Sequence, residues 1–170
     1  MKKWIVLLLA ATLLSGCGKG EQPEPETIPP TMASEPERPT AGELQIWLPE
    51  EAVAETMADG EQGQVYSWDS YELRLQTKQG GDIRRTLEEL TGKKADQLTV
   101  LSRSRDALDF YQTVWCTTDE EGTLVHRTAV VSDGVYHYCM SLSAPEQVDC
   151  TQMYDRLCST LSVQAPGEKS

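Results

Sequence analysis

The sequence predicts an α+β domain, an antiparallel β-sheet meander with helices packed on it. Three observations carry this reading. Alternating apolar and polar residues fill most of 97–143 and are broken by two turn signals. Helical periodicity is clearest in two places, after Asp82 and after Asp149. The strands come in runs instead of alternating one by one with helices, which argues α+β over a parallel α/β sheet. With 170 residues, 39% of them hydrophobic, the chain suits one domain with a modest core.

The chain starts with Lys2 and Lys3, then an apolar run from Trp4 to Leu14. At about 1.5 Å per helical residue, eleven residues fall well short of a hydrocarbon layer of about 30 Å. The run has the length of a signal-peptide core. It ends in Leu14-Ser15-Gly16-Cys17, which resembles the lipobox of bacterial lipoproteins. The resemblance implies a signal peptide over 1–16 and cleavage between Gly16 and Cys17. It also implies a diacylglycerol on the Cys17 sulfur, with the new amine acylated. It thereby implies an extracytoplasmic location at the membrane through the lipid anchor. Gly18 stands where, in a two-membrane cell, an aspartate would signal inner-membrane retention. The outer membrane is therefore open to such a protein.

Residues 17–40 read as the lipidated cysteine followed by a disordered Pro/Glu-rich tether. Six of the nine prolines lie here: Pro23, Pro25, Pro29, Pro30, Pro36 and Pro39. Sparse apolar residues without a period cannot offset the entropy of ordering. Fully extended, such a tether would reach roughly 70 Å at about 3.1 Å per residue.

The globular domain is expected over 41–164, with a flexible C-terminus at 165–170. Leu44 to Leu48 alternates and reads as a first strand ended near Pro49. Glu50 to Ala58 reads as a short helix closed by Gly60. Val65–Trp68 and Tyr71–Thr77 read as strands around Asp69-Ser70, and Gly80-Gly81 breaks the chain. Asp82 caps a helix that Gly92 stops, with Ile83, Leu87 and Leu90 on its apolar face. Arg84/Glu88 and Arg85/Glu89 are spaced for pairs on the outer face.

Strands follow at 97–103, 108–117, 123–131 and 135–143, turning at Asp119–Gly122 and Ser132–Gly134. Asp149 and Gln152 have capping-box spacing for a last helix, whose stripe is Met153, Leu157 and Leu161. Tyr71-Glu72-Leu73, the Gly80-Gly81-Asp82 helix start and the stretch Asp133 to Met140 running into Ala144-Pro145 resemble the PsbP-like fold. That resemblance covers about 44–163. It implies an α/β sandwich of a kind whose members act mostly through protein contacts or have no known activity.

With 27 acidic against 15 basic residues, the net charge of −12 excludes an electrostatic nucleic-acid binder. No zinc-finger, HExxH, EF-hand, GxSxG or phosphate-loop pattern occurs. No catalytic residues, metal ligands or cofactor are therefore expected. The acidic tip at Asp119-Glu120-Glu121 and the basic run Ser102 to Arg105 read as solvated turn and strand-end chemistry. Most of the Trp and Tyr residues are expected in the core.

Besides Cys17, four cysteines remain: Cys116, Cys139, Cys150 and Cys158. Cys150 and Cys158 on one helix would be about 12 Å apart, too far to bridge. Turns at 118–122 and 132–134 would pair Thr117 with Thr123 and Val131 with Val135. They would place Cys116, Leu124, His126, Val130, Tyr138 and Met140 on one face. Cys139, Trp115, Val125 and His137 would take the other. Two readings follow: one bridge from a strand to the last helix, Cys139 with Cys158, or buried free thiols.

The function expected is a membrane-anchored, non-enzymatic module that binds another envelope protein. The alternative is a small-ligand or metal-binding lipoprotein with a pocket between sheet and helix.

Overall fold

The computed structural model describes residues 39–56, 63–164 and 166. The strands are β1 (Glu43–Gln45), β2 (Val53–Glu55), β3 (Gln64–Trp68), β4 (Tyr71–Gln79), β5 (Val100–Arg105), β6 (Leu108–Asp119), β7 (Gly122–Ser132), β8 (Tyr136–Pro145) and β9 (Ser162–Gln164). The helices are α1 (Ile83–Thr91) and α2 (Thr151–Thr160). A seven-stranded antiparallel sheet runs β2-β3-β4-β8-β7-β6-β5, and β1 pairs with β9 in a separate ribbon. The meander is β5 to β8, and the β3–β4 hairpin joins it along the free side of β8.

This order forces a crossover, because β4 and β5 lie on opposite sides of the meander. The chain between them carries α1 over one face of the sheet, where Leu87 packs on Val130 and Cys139. The other face meets α2, whose Tyr154 and Leu157 share a core with Val131, Met140 and Leu142. Central β8 is therefore covered on both sides: His137, Tyr138, Cys139 and Met140 are all buried in succession. A strand buried on both faces cannot show clean polar alternation.

The helix ends follow local chemistry. The Asp82 carboxylate accepts from the Arg84 N–H at 2.9 Å. Gly92 closes α1 in the left-handed region at φ 65°, donating its N–H to the Glu88 carbonyl at 2.8 Å. The Asp149 carboxylate accepts from the Thr151 N–H at 3.0 Å. Helix α2 nevertheless starts one residue later than the capping-box spacing implies, with Cys150 at its N-cap.

Several expectations need correction. The helix expected from Glu50 is a turn at Glu50–Glu51 followed by strand β2, which pairs with β3; its remainder and Gly60 fall outside the described residues. The first strand is shorter than expected, and Trp47 beyond it donates its N–H to the Thr160 hydroxyl at 3.2 Å. Residues 95–97 form a 3₁₀ turn, so β5 starts at Val100.

The register needs correction as well. Asp119 Oδ1 accepts from the N–H groups of Glu121 and Gly122, tightening the first hairpin to a two-residue turn. Thr117 therefore faces Leu124, one residue off the expected pair. Asp133 Oδ1 accepts from the N–H groups of Val135 and Tyr136 and widens the second turn, so Val131 faces Tyr138. Both shifts are odd in number, so they cancel between β6 and β8 but turn β7 over. His126 and Val130 thus join Cys139, Trp115 and His137 on the α1 face, while Val125 goes to the α2 face with Cys116.

Candidate functional site

Beside the C-terminal half of α1, the sheet face carries a cleft of about 470 Å³. Period-2 alternation aims Glu72, Arg74 and Gln76 of β4 and Ser141 and Ser143 of β8 into it. Strands β6 and β7 contribute Trp115 and His126, and α1 contributes Glu89 and Leu90. Trp115 and His126 are direct cross-strand partners. Their rings stack at 3.9 Å between centroids, 11° from parallel.

Two hydrogen-bonded chains underlie this wall. His126 Nδ1 lies 2.7 Å from the Ser143 hydroxyl, and its Nε2 lies 2.8 Å from the Thr117 hydroxyl. The Trp115 indole N–H donates to the Thr128 hydroxyl at 3.1 Å, which in turn meets the Ser141 hydroxyl at 3.0 Å. Burial holds the His126 pKa below the ordinary imidazole value; Glu72 opposes this and Arg74 reinforces it. The ring is therefore neutral near pH 7 and acts as donor on one side and acceptor on the other.

The Ser143–His126 contact has the length of an activated hydroxyl, but its setting differs from a nucleophile's. Ser143 sits inside β8 between Glu72 and His126, so its peptide group belongs to the ladder. The second nitrogen of His126 meets a threonine hydroxyl, where a catalytic triad places a carboxylate. The arrangement holds polar groups in fixed positions.

The charges around the cleft are paired. Arg74 Nε meets Glu72 at 2.7 Å, and Glu89 accepts from Lys78 and Arg85, both at 3.0 Å. Hydrogen bonds from these two cations hold the Glu89 carboxyl below its usual range. Next to the cleft, His137 is buried with its Nδ1 2.8 Å from the Thr86 hydroxyl, and burial lowers its pKa as well.

Two neutral imidazoles, His137 buried and His126 half-buried, set an expected pH dependence. The unfolded chain binds protons at these sites from about pH 6.5 downward, the folded chain only at lower pH. Their stabilising contribution is complete above about pH 6.5 and is lost as pH falls through the window below it. Urea midpoints are expected to drop between pH 7.5 and 5.0, with a smaller drop in a His126→Gln/His137→Asn double variant. A flat profile over that range would contradict the assignment.

Of the residues singled out from the sequence, Gly16 and Cys17 lie outside the described residues, as does the tether up to Arg38. The Cys139–Cys158 bridge is not formed. Cys139 faces α1, whereas Cys158 rides on α2 across the sheet, where it accepts from Gln112 Nε2. All four described cysteines are free thiols. Burial pushes the Cys139 thiol up to about 12 and also raises that of Cys158.

Exposed Cys116 is accordingly expected to react first with a maleimide and Cys139 last, with all four thiols titrating after denaturation without reductant. Fewer than four would indicate a disulfide that this packing forbids.

Among the described residues no three His, Cys, Asp or Glu side chains converge as metal ligands. Asp119 uses its carboxylate to close the hairpin, and Arg103 and Arg105 lie over the Phe110 ring at 5.3 and 5.7 Å. Trp68, Tyr138 and Tyr154 are core residues, and Trp47, half-buried, packs under Arg156. Sequence reasoning missed Glu72, Arg74, Ser141 and Ser143. Their signal was a polar stripe at every second position of two strands that are neighbours only through the crossover.

No family model matches the chain, and no curated protein matches it. Solved structures do. The chain is similar to the solution structure of cyanobacterial PsbP (CyanoP) from Synechocystis sp. PCC 6803, at TM-score 0.54 and 13% identity, covering 78% of this chain and 98% of that one. It is also similar to a crystal structure from Bacteroides thetaiotaomicron VPI-5482, at TM-score 0.54 and 15% identity, covering 75% of this chain but only 47% of that one. The described domain thus has a PsbP-like α+β fold. At such identities the likeness extends to the fold alone.

Proposed function

We propose that the chain is a lipid-anchored extracytoplasmic lipoprotein whose PsbP-like domain is a non-enzymatic binding module for another protein of the cell envelope. The observation that carries this is Leu14-Ser15-Gly16-Cys17 at the end of a short apolar run behind two lysines. Two or more acyl chains hold a protein stably where one holds it marginally. The Pro/Glu-rich stretch then sets the domain at a distance from the bilayer. Among the described residues no helix is long and apolar enough to cross a membrane.

The test is proximity crosslinking in intact envelopes, comparing the native chain with Cys17→Ala. A discrete envelope protein captured by the native chain and lost in the variant is the expected result. Identical capture by both would refute a role that depends on the anchor.

A second reading, a small-ligand-binding lipoprotein, is favoured by one observation. The cleft beside α1 gathers an aromatic wall and fixed polar groups on rigid strands.

A further inference from the structure

We propose that the cleft beside α1 takes a neutral, polyhydroxylated ligand, a saccharide unit, set against the Trp115–His126 wall over the hydroxyls of Ser141 and Ser143. This names the ligand class for the small-ligand reading and rests on it. Its volume, about 470 Å³, lies within the range of about 300–1,000 Å³ usual for small-molecule sites.

The charge pattern selects against ions. Glu72 is paired with Arg74, and Glu89 with Lys78 and Arg85, so each carboxylate at the cleft already has a cation within 3.0 Å. An anion would meet an Arg74 whose charge Glu72 already offsets, and a cation would have to draw a carboxylate from its partner. Protonation of His126 offers no extra cation near pH 7, because its ring is held neutral by its surroundings.

The remaining groups are those that sugars use. A hydroxyl has one proton to give and two lone pairs to receive. Ser143 spends one of these on His126 and Ser141 one on Thr128, so both keep capacity toward the cleft. A neutral imidazole forces opposite roles on its two partners. One of Ser143 and Thr117 donates to the ring and the other accepts from it. Either tautomer leaves Ser143 with a free function, a lone pair or a proton, that a ligand hydroxyl can meet because it can both give and receive. Gln76, half-buried in the lining, adds an amide of the same dual character.

The aromatic component completes the match. Trp115 is half-buried, its N–H is spent on Thr128 and one ring face lies on His126, so what it offers the cleft is the rest of its apolar ring surface. Apolar ring surface beside fixed hydrogen-bonding groups suits a pyranose, which has C–H faces and a hydroxyl rim. All these groups stand on paired strands, so little ordering cost attaches to binding.

The test is a titration of the full chain, held in a sugar-free zwitterionic detergent, followed by the NMR signals of the Trp115 indole N–H and the His126 ring. Cellotriose and N,N′-diacetylchitobiose are the neutral probes, citrate the anionic and spermidine the cationic one. The expected result is a saturable shift of both signals with at least one saccharide, leaving the Trp68 indole signal unmoved. Affinity is expected to weaken at least tenfold in Ser143→Ala and at least threefold in Gln76→Ala, with urea midpoints confirming that both variants fold. If citrate or spermidine moves these signals and the saccharides do not, the ligand class is wrong while the small-ligand reading stands. If no probe moves them, both are overturned.

Discussion

Leu157→Ala is expected to destabilise the domain by about 2–5 kcal/mol, the range for emptying a fully enclosed leucine site. Leu157 has no exposed surface and sits where α2 presses on the sheet, in the same core as Met140, Leu142 and Tyr154. Its neighbours cannot collapse into the gap easily. β8 is held by ladders on both sides, and the Tyr154 hydroxyl is tied to the Thr128 carbonyl at 3.1 Å. The natural control is Leu101→Ala on the outermost strand, where the side chain is 69% exposed and the cost should stay within about 0.5 kcal/mol. Urea denaturation of both variants checks this. Equal effects would mean that α2 does not form this core.

Cys17→Ala is expected to change the protein's partition outright. The native chain should need detergent to leave the membrane, because the proposed acyl chains would each contribute about 0.8 kcal/mol per buried CH₂ group. The variant keeps only the Trp4–Leu14 run, too short for a stable span of about 30 Å. Alkaline carbonate should therefore release it. A variant retained as firmly as the native chain would place the anchor elsewhere than on Cys17.

The α+β class was legible because its determinants are local. Asp82 and Gly92 bracket α1, hairpin turns punctuate β6 to β8, and Leu157 falls on the stripe that α2 buries. The register was not legible, because it depends on how two aspartates use their carboxylates. Asp119 shortens one turn and Asp133 lengthens the next, and neither effect appears in residue spacing. Turning β7 over is what brings His126 to Ser143 and beside Trp115, so the cleft was hidden by the same error.

The Cys139–Cys158 pairing failed for a related reason. Which face each helix covers is set by the α1 crossover, a long-range feature. Strand β2 was misread because Glu50–Glu51-Ala52 carries helical composition, whereas pairing with β3 decides its conformation.

The most direct measurement is the mass of the N-terminal peptide of the protein isolated from membranes. A chain that starts at Cys17, with a diacylglycerol thioether on its sulfur and an acylated amine, is the predicted product. A peptide that retains residues 1–16, or one with an unmodified thiol at position 17, would contradict the account.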